Sequence, residues 1–577
     1  MSYVTIRQPV LNLPDANHLV SLTFSSHDSD ILLDGWDDPE LLRHFLAFQT
    51  TIPEVIDPQL ESATYFMMNR RVQMLEHIQA QSVPHTGRAC AVELAAARFH
   101  RKLQGFRVIP MHKFPQEILC RIFQLATFAD VSPYDSSFIL QRTRIASVCT
   151  HWRAVAFNDA VLWSKVTFKP NTHYWSEAEQ ALALSGSCTP LSVTLTDIGL
   201  GSAYWSKHFF EIRHLLVAES RAFRIHSFYA RFDRWENVTS VVESLVPLLG
   251  PQLRNFDISY HNPRDELTAI LVGPFLKFGA NATLPPLRRL VVEKVACDWD
   301  YINLEQLTSL ELRGSVANWP SVSQLASVLR SCTHLRTLSL ADIQLPGWDI
   351  EDILPAQLDR LDEFSLRNCS AHIATEIISQ FQAPNLRGLV LSCIDDNELL
   401  LVDWLTSTKR FPRVQDLALL EIHFEAGDVD EINDESIAYR RAKDLLTNWF
   451  LTLPQLRLLK LAKIHHVTLD ALATPLSAET GSDTVDDFRK SETVCPMLGA
   501  LHVDSMDAKR VACFIRAREA LACPIKKAFV GKDWWPQLAH SDKRELALTG
   551  VPWYASKTWP AEEYITEAEH EEAMRDV

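Results

Sequence analysis

No stretch of this 577-residue chain holds about 18 or more consecutive apolar residues, so no segment reads as a membrane-spanning helix. Met1 to Val10 has no basic run leading into an apolar one, and no signal peptide is expected. Basic charge is in deficit: 56 Lys and Arg against 72 Asp and Glu leave a net charge of −16. That balance disfavours nucleic acid and anionic membrane surfaces as general partners. Cys-x-x-Cys pairs are missing, and the eleven cysteines show no framework spacing. A reducing compartment, cytosol or nucleus, is the consistent home. The sequons at Asn237, Asn281 and Asn368 are then chance matches.

Catalytic signatures are missing too. There is no G-x-x-x-x-G-K-[ST] phosphate loop, no G-x-S-x-G and no H-E-x-x-H. Gly199-Leu200-Gly201 lacks a third glycine at dinucleotide spacing. His465-His466 reads as a surface or turn pair rather than a metal site, and Cys513 and Cys523 as core residues of a C-terminal helical segment. Carboxylates are plentiful, but nothing pairs two of them. The expectation is a protein that is not an enzyme and takes no cofactor or metal; a deep pocket with converging acid and base groups would reopen that question.

What is present is an ordinary globular composition, 47% hydrophobic and 22% charged, long enough for several domains. Residues 1–60 form a variable N-terminal segment with acidic patches, and 61–107 a helical one. There Met67, Val72, Met74, Leu75 and Ile78 recur at spacings near three and four, with a break at Pro84 and Gly87. The segment is too short and interrupted for a coiled coil, and a pair of packed helices is expected. A compact helical unit fills 108–168, and 169–250 is a transition. Residues 251–530 repeat themselves, and 531–577 hold a tryptophan cluster (Trp534, Trp535, Trp553, Trp559) and an acidic tail, Glu562 to Asp576.

The repeat is a template with apolar residues at positions 1, 4 and 6. It runs Leu253/Phe256/Ile258, Leu287/Leu290/Val292, Leu307/Leu310/Leu312, Leu335/Leu338/Leu340 and Leu361/Phe364/Leu366. It continues as Leu386/Leu389/Leu391, Val414/Leu417/Leu419, Leu456/Leu459/Leu461 and Leu498/Leu501/Val503. Between 287 and 414 the steps are 20, 28, 26, 25 and 28 residues, with longer steps on both sides. Proline often sits two residues ahead of position 1 (Pro251, Pro285, Pro384, Pro412, Pro454, Pro496), where it stops the preceding helix. Arginine often follows position 1 (Arg254, Arg288, Arg336, Arg387, Arg457). A strand with inward leucines at 4 and 6 buries them only by stacking beside the next strand under a covering helix. Helices are expected around Val322–Leu329, Ile373–Phe381 and Leu445–Phe450. The pattern resembles the leucine-rich repeat L-x-x-L-x-L, with one departure. Position 9, where that family often carries Asn or Cys, holds Val295, Ile343, Ile394, Ile422, Ile464 and Met506, with Cys369 and Ser315 as the remaining cases. An apolar turn packed into the core is expected there, and with it an irregular horseshoe whose acidic insertions, Glu421–Ser436 and Ser477–Glu492, loop out.

In the helical unit, Pro115 suits a first helical turn and Glu117 the positive end of that helix. Ile118, Leu119, Ile122, Phe123 and Leu125 form an apolar stripe. After a polar break, Asp130 to Ser137, a second helix is expected from about Ile139 to Phe157. Ile145, Val148, Cys149, Trp152, Val155 and Ala156 would then share one face. Three elements, Phe114-Pro115-Gln116-Glu117-Ile118-Leu119, Val148-Cys149-Thr150-His151-Trp152 and Leu162-Trp163, together resemble the F-box. Phe114 stands where that family usually has leucine, and Thr127 to Ser137 is longer than usual. A preceding helix and the run Leu-Ser-Gly-Ser-x-x-Pro-Leu at 184–191 resemble the large F-box families of mushroom-forming fungi.

The fold class is therefore α/β: N-terminal helices and a three-helix F-box-like module, then an irregular leucine-rich-repeat solenoid. The resemblance implies the substrate-recognition subunit of a cullin-RING ubiquitin ligase, with an Skp-type adaptor docked on Phe114, Pro115, Glu117, Ile118, Leu119, Ile122, Phe123, Ile145, Val148, Cys149, Trp152, Leu162 and Trp163. An unknown protein substrate would meet the outward strand positions Arg289, Glu311, Thr337, Ser339, Glu363, Ser365, Val390 and Asp416. Read without the resemblance, the helical unit is a cap on the solenoid's first repeat, and the chain is an interaction scaffold with no ligase link.

Overall fold

The computed structural model describes residues 58–81, 94, 97–98, 114–129, 132–169, 173–197, 202–261, 276–277, 285–299, 302, 304–314, 320–343, 354–424, 435–474, 493–531 and 534–556. The chain divides into two compact units. One comprises residues up to 130 together with 137–159; the other comprises 131–136 and everything from 160 onward.

The described residues of the first unit are mainly helical. Helix α1 (Pro58–Gln81) carries Val72 and Leu75, which are buried with Leu94 and Ala97 in a small apolar cluster. Helix α2 (Gln116–Phe128) begins just after Pro115, whose carbonyl accepts from the amides of Ile118 and Leu119 at 3.0 and 3.2 Å. The single second helix expected from the sequence is two: α3 (Ser137–Val148) and α4 (Thr150–Asn158). Cys149 between them is extended (φ −160°, ψ 169°), and its Sγ accepts from the Trp152 amide, so it caps α4 instead of continuing α3.

Among the described residues, the second unit is a strand–helix repeat built on an all-parallel sheet of fourteen strands, with a separate two-stranded parallel pair at Ala356–Gln357 and Phe381–Gln382. Nine strands carry the sequence template: β4 (Asn255–Tyr260), β5 (Arg289–Glu293), β6 (Ser309–Arg313), β7 (Thr337–Ala341), β8 (Glu363–Ser370), β9 (Gly388–Asp395), β10 (Asp416–Leu420), β11 (Leu458–Ala462) and β12 (Ala500–Asp504). Every residue at positions 1, 4 and 6 of these units is buried. A register slip of one residue would turn all those side chains to the other face, so the leucine pattern fixes the pairing. The sheet also extends past the template at both ends. The last residues of the stretch read as the helical unit supply β1 (Lys165–Phe168), the stretch read as a transition supplies β2 (Leu191–Thr196) and β3 (Ile225–Phe232), and the C-terminal region supplies β13 (Lys527–Gly531) and β14 (Trp553–Ser556). Helices connect many of the strands. One, at Val322–Ser331, is held at its start by a capping box of Ser321 and Gln324.

The repeat's two regularities have distinct causes. In eight of the nine units the amide of position 1 bonds to the carbonyl three residues back, as Leu386 does to Ala383 and Leu456 to Leu453, while Leu287 bonds to that of Pro285. Pro384 and Pro454 thus occupy the second position of a β-turn, where their fixed φ is preset. The position-2 arginine side chains are mostly exposed; what repeats structurally there is the backbone. Arg288 and Arg289 both donate to the Arg254 carbonyl, Arg336 and Thr337 to that of Thr308, and so on along the sheet.

Position 9 behaves as the sequence leads one to expect. Val295, Ile343, Cys369, Ile394, Ile422, Ile464 and Met506 are all buried. The residue before each, Lys294, Asp342, Asn368, Cys393, Glu421, Lys463 and Ser505, is left-handed, with φ from 49° (Cys393) to 56° (Lys294). That conformation costs an L side chain about 1–2 kcal/mol. It turns the chain so the next residue points inward, and it lets the strained residue's amide extend the ladder. Lys294 donates to Arg313 at 2.7 Å and Glu421 to Ala462 at 2.8 Å.

Most of residues 1–60, the acidic tail, Ser315, Trp559 and the greater part of the two acidic insertions lie outside the described residues.

Candidate functional site

Helix α2 presents two apolar stripes. Leu119, Phe123 and Thr127, four residues apart, are buried, and the Phe123 ring meets Trp152 of α4 at 4.8 Å between centroids. Gln124 reaches the Asp159 carboxylate at 3.0 Å, and Arg153 of α4 donates to the Ala146 carbonyl of α3 at 3.0 Å. These contacts tie the three helices together. The second stripe faces out: Phe114 is 39% exposed, Ile118 50% and Leu125 52%, with Ile122 half-buried between them. Ile118, Ile122 and Leu125 stand at i, i+4 and i+7, one helix face. Leu140 on α3 is also exposed. The solvent-facing apolar side chains of α2 thus recur on consecutive turns of one helix.

The residues expected to meet an adaptor therefore separate. Phe114, Pro115, Glu117 and Ile118 are exposed; Ile122, Val148, Cys149 and Trp152 are half-buried. Leu119, Phe123 and Ile145 are interior to the helical unit, and Leu162 and Trp163 are buried in the repeat unit. These five hold their units together and offer a partner no surface. Leu125 and Leu140 face out although neither stands among those expected contacts; Leu125 was legible as the i+7 member of the Ile118 stripe.

On the sheet, the expected target-facing positions fall into two adjacent rows. Arg289, Ser309, Thr337, Glu363, Gly388 and Asp416 are consecutive partners in register, as are Val291, Glu311, Ser339, Ser365, Val390 and Ala418. Toward β12 to β14 the second row becomes Lys460, His502, Phe529 and Tyr554. Toward its start it continues through Asp257 to Tyr229 and Thr194. We call the face carrying these rows the open face, since the leucines occupy the other.

Charge concentrates on the open face of β3 to β6. Arg289 and Arg313 both approach Glu311, the former at 3.9 Å. Asp257 is 8% exposed, and its carboxyl is pushed up to about 6, chiefly by burial and further by Glu311, against the opposing pull of the Tyr134 hydroxyl, Arg289 and Arg313. Because the folded value lies above the ordinary one, this group's contribution to stability is full below about pH 4 and is lost as pH rises through 6. Asp257→Asn is expected to remove a stability loss of up to about 3 kcal/mol between pH 4 and pH 7. Thermal melts of both proteins across that range read it out; parallel profiles would refute it.

Other features of the sequence take quieter places. His465 and His466 lie with ring centroids 4.0 Å apart beside Tyr439. Among the described residues, no group of three or more His, Cys, Asp or Glu could hold a metal ion. Cys513, expected in the core, is exposed, because the inward face of its helix is taken by Val511, Ala512, Phe514 and Ile515. Cys523 is half-buried.

No curated protein sequence matches the chain. Among solved structures, the crystal structure of the Rad7 and Elc1 complex in yeast aligns with 79% of this chain and 90% of that one, at 14% identity and a TM-score of 0.30. The segment that carries α2, α3, α4 and β1 gives the specific result: residues 111–169 match the family model described as F-box-like.

Proposed function

We propose that this chain is a non-catalytic substrate receptor of an SCF-type ubiquitin ligase, whose F-box-like segment docks an Skp-type adaptor and whose leucine-rich-repeat-like unit holds a target protein. The observation that carries the proposal is the exposed stripe Phe114, Ile118, Ile122 and Leu125, lying within the segment that matches the F-box-like model. An adaptor covering it would remove from water the apolar surface that the module's own core leaves outside. Cullin and RING components would join through the adaptor.

The work of such a receptor is proximity. Holding a target on the sheet and an adaptor on the helices turns a bimolecular transfer into one at high effective concentration, with no chemistry by the receptor itself. The open-face rows, with their charged and hydroxyl groups, supply the hydrogen-bonding side chains for that task.

Co-purification with a purified Skp-type adaptor tests the reading. The full chain is expected to retain the adaptor through gel filtration, and Pro115→Ala/Ile118→Asp to lose it. Failure of the unaltered chain to bind sinks the ligase reading in favour of a repeat scaffold. Retention by the double variant would place the contact elsewhere.

A further inference from the structure

The five residues Ser132 to Ser136 join α2 to α3 in sequence, yet they belong to the repeat unit. They lie on the open face of its first strands. The Ser132 carbonyl accepts from Lys165 Nζ at 3.1 Å and the Pro133 carbonyl from Thr194 Oγ1 at 3.1 Å. Lys169 Nζ reaches Ser136 Oγ at 2.6 Å. Between these anchors Tyr134 drops its ring against Tyr229, edge on at 6.2 Å, with the Arg231 guanidinium 5.7 Å from its centre. Its hydroxyl donates to Asp257 Oδ1 at 2.8 Å.

The segment is a β-turn, closed by the Asp135 amide donating to the Ser132 carbonyl at 3.1 Å, and its contacts divide in two. Main-chain carbonyls are met by side chains of the sheet, which accept any sequence, while one side chain enters a slot that specifies it. The slot is matched to a phenol: an aromatic wall, a guanidinium near the ring, and at its floor a buried acceptor whose hydrogen-bonding capacity is wasted on a phenylalanine. The strap itself contributes one ring and a handful of polar bonds; Ser132 and Asp135 stay exposed, and Pro133, Tyr134 and Ser136 are only partly covered. Such a hold lacks the apolar burial that makes a segment permanent.

We infer that the slot formed by Tyr229, Arg231 and Asp257 is a recognition site for a tyrosine side chain on a tight turn of the target, held shut by the chain's own Tyr134, which sits in the turn Ser132–Asp135. The inference rests on the open face being the target surface, and it is independent of the adaptor. A target engages by displacing the strap, which competes at the high local concentration of a tethered ligand. Selection then falls on tyrosine over phenylalanine, because only the hydroxyl satisfies Asp257.

Saturation-transfer NMR on the full chain tests this, with the free, end-capped peptide Val-Ser-Pro-Tyr-Asp-Ser-Ser (the sequence of 131–137) as probe. The Tyr134→Gly variant, whose slot is vacated, is expected to transfer saturation to the peptide's tyrosine ring at least tenfold more strongly than the unaltered chain. The same peptide with phenylalanine for tyrosine is expected to lose most of that signal. Equal transfer to both proteins, no transfer with the variant, or indifference to the hydroxyl each overturns the inference. Circular dichroism of Tyr134→Gly guards against a folding defect, and Tyr134→Phe serves as a second variant with the ring retained. Adaptor capture is unaffected by any of these results, so failure here is separate from failure of the ligase reading.

Discussion

Replacing Ile118 and Leu125 together by aspartate is expected to weaken adaptor binding by at least about 100-fold while leaving the fold intact. Both side chains are about half exposed in the free chain, at 50% and 52%, so carboxylates there remain hydrated and the module loses little stability. Once an adaptor covers the stripe, each aspartate is desolvated without a partner, at roughly 1–3 kcal/mol apiece. The contrasting pair is Leu119→Ala and Phe123→Ala. Those side chains are 0% and 1% exposed, and the Phe123 ring packs on Trp152, so their loss opens cavities inside the module. About 2–5 kcal/mol of stability is expected to go with each. Calorimetric titration with the adaptor, beside thermal melts, separates the two behaviours. If the double aspartate variant binds normally, the stripe is not the contact.

A second large effect is expected at the other end of the chain. Arg518, on helix Ala508–Ala520, is 0% exposed and donates to three backbone carbonyls: Val494 at 2.6 Å, Cys495 at 2.9 Å and Cys523 at 3.2 Å. No carboxylate pairs with it among these partners; burial is the largest influence on it and pulls its pKa down. The guanidinium fork is matched to the task, since its donors lie in one plane and reach the chain on both sides of β12 and the helix. Removing it takes a donor from three inward carbonyls, of which that of Cys495 keeps its bond from the Leu498 amide at 3.1 Å; each group left unsatisfied costs about 1–3 kcal/mol, against which relief from burying a charge is set. A net loss of about 3 kcal/mol is therefore expected for Arg518→Met. Arg518→Lys restores one bond at best and should recover only part. Amide exchange across 493–523 reads this locally, which matters because a chain with two compact units need not unfold in one step. Unchanged exchange in Arg518→Met would contradict the assignment.

Where the sequence was legible, the reason is periodic burial. Nine strands could be read because leucine or a close substitute fills both inward positions. Strand β3 follows the same spacing with Ile225, Phe228 and Ala230, as β13 does with Ile525, Ala528 and Val530. In both, an alanine at an inward position is too small to stand out, though it is wholly buried. The break at Cys149 was hidden because the apolar spacing runs on across it; one extended residue between two helices shifts the periodicity too little to register. The strap was visible only as a departure from the F-box spacing. Its meaning lies in a bond from Tyr134 to Asp257, more than a hundred positions on, and a single distant pairing leaves no periodic trace. On α2, sequence alone found the apolar residues without dividing them: Leu119 and Phe123 turn in, Ile118 and Leu125 turn out. That division needs the partner helices, because either stripe could have been the buried one.

The central claim is that α2's outward stripe is the adaptor contact. Hydrogen–deuterium exchange of the full chain, with and without a saturating Skp-type adaptor, addresses it without any substitution. The account predicts slowed exchange across 114–129 on adding the adaptor, with β7 to β10 unchanged. Exchange in 114–129 that is indifferent to the adaptor, or protection appearing instead along the open face of the sheet, would contradict it.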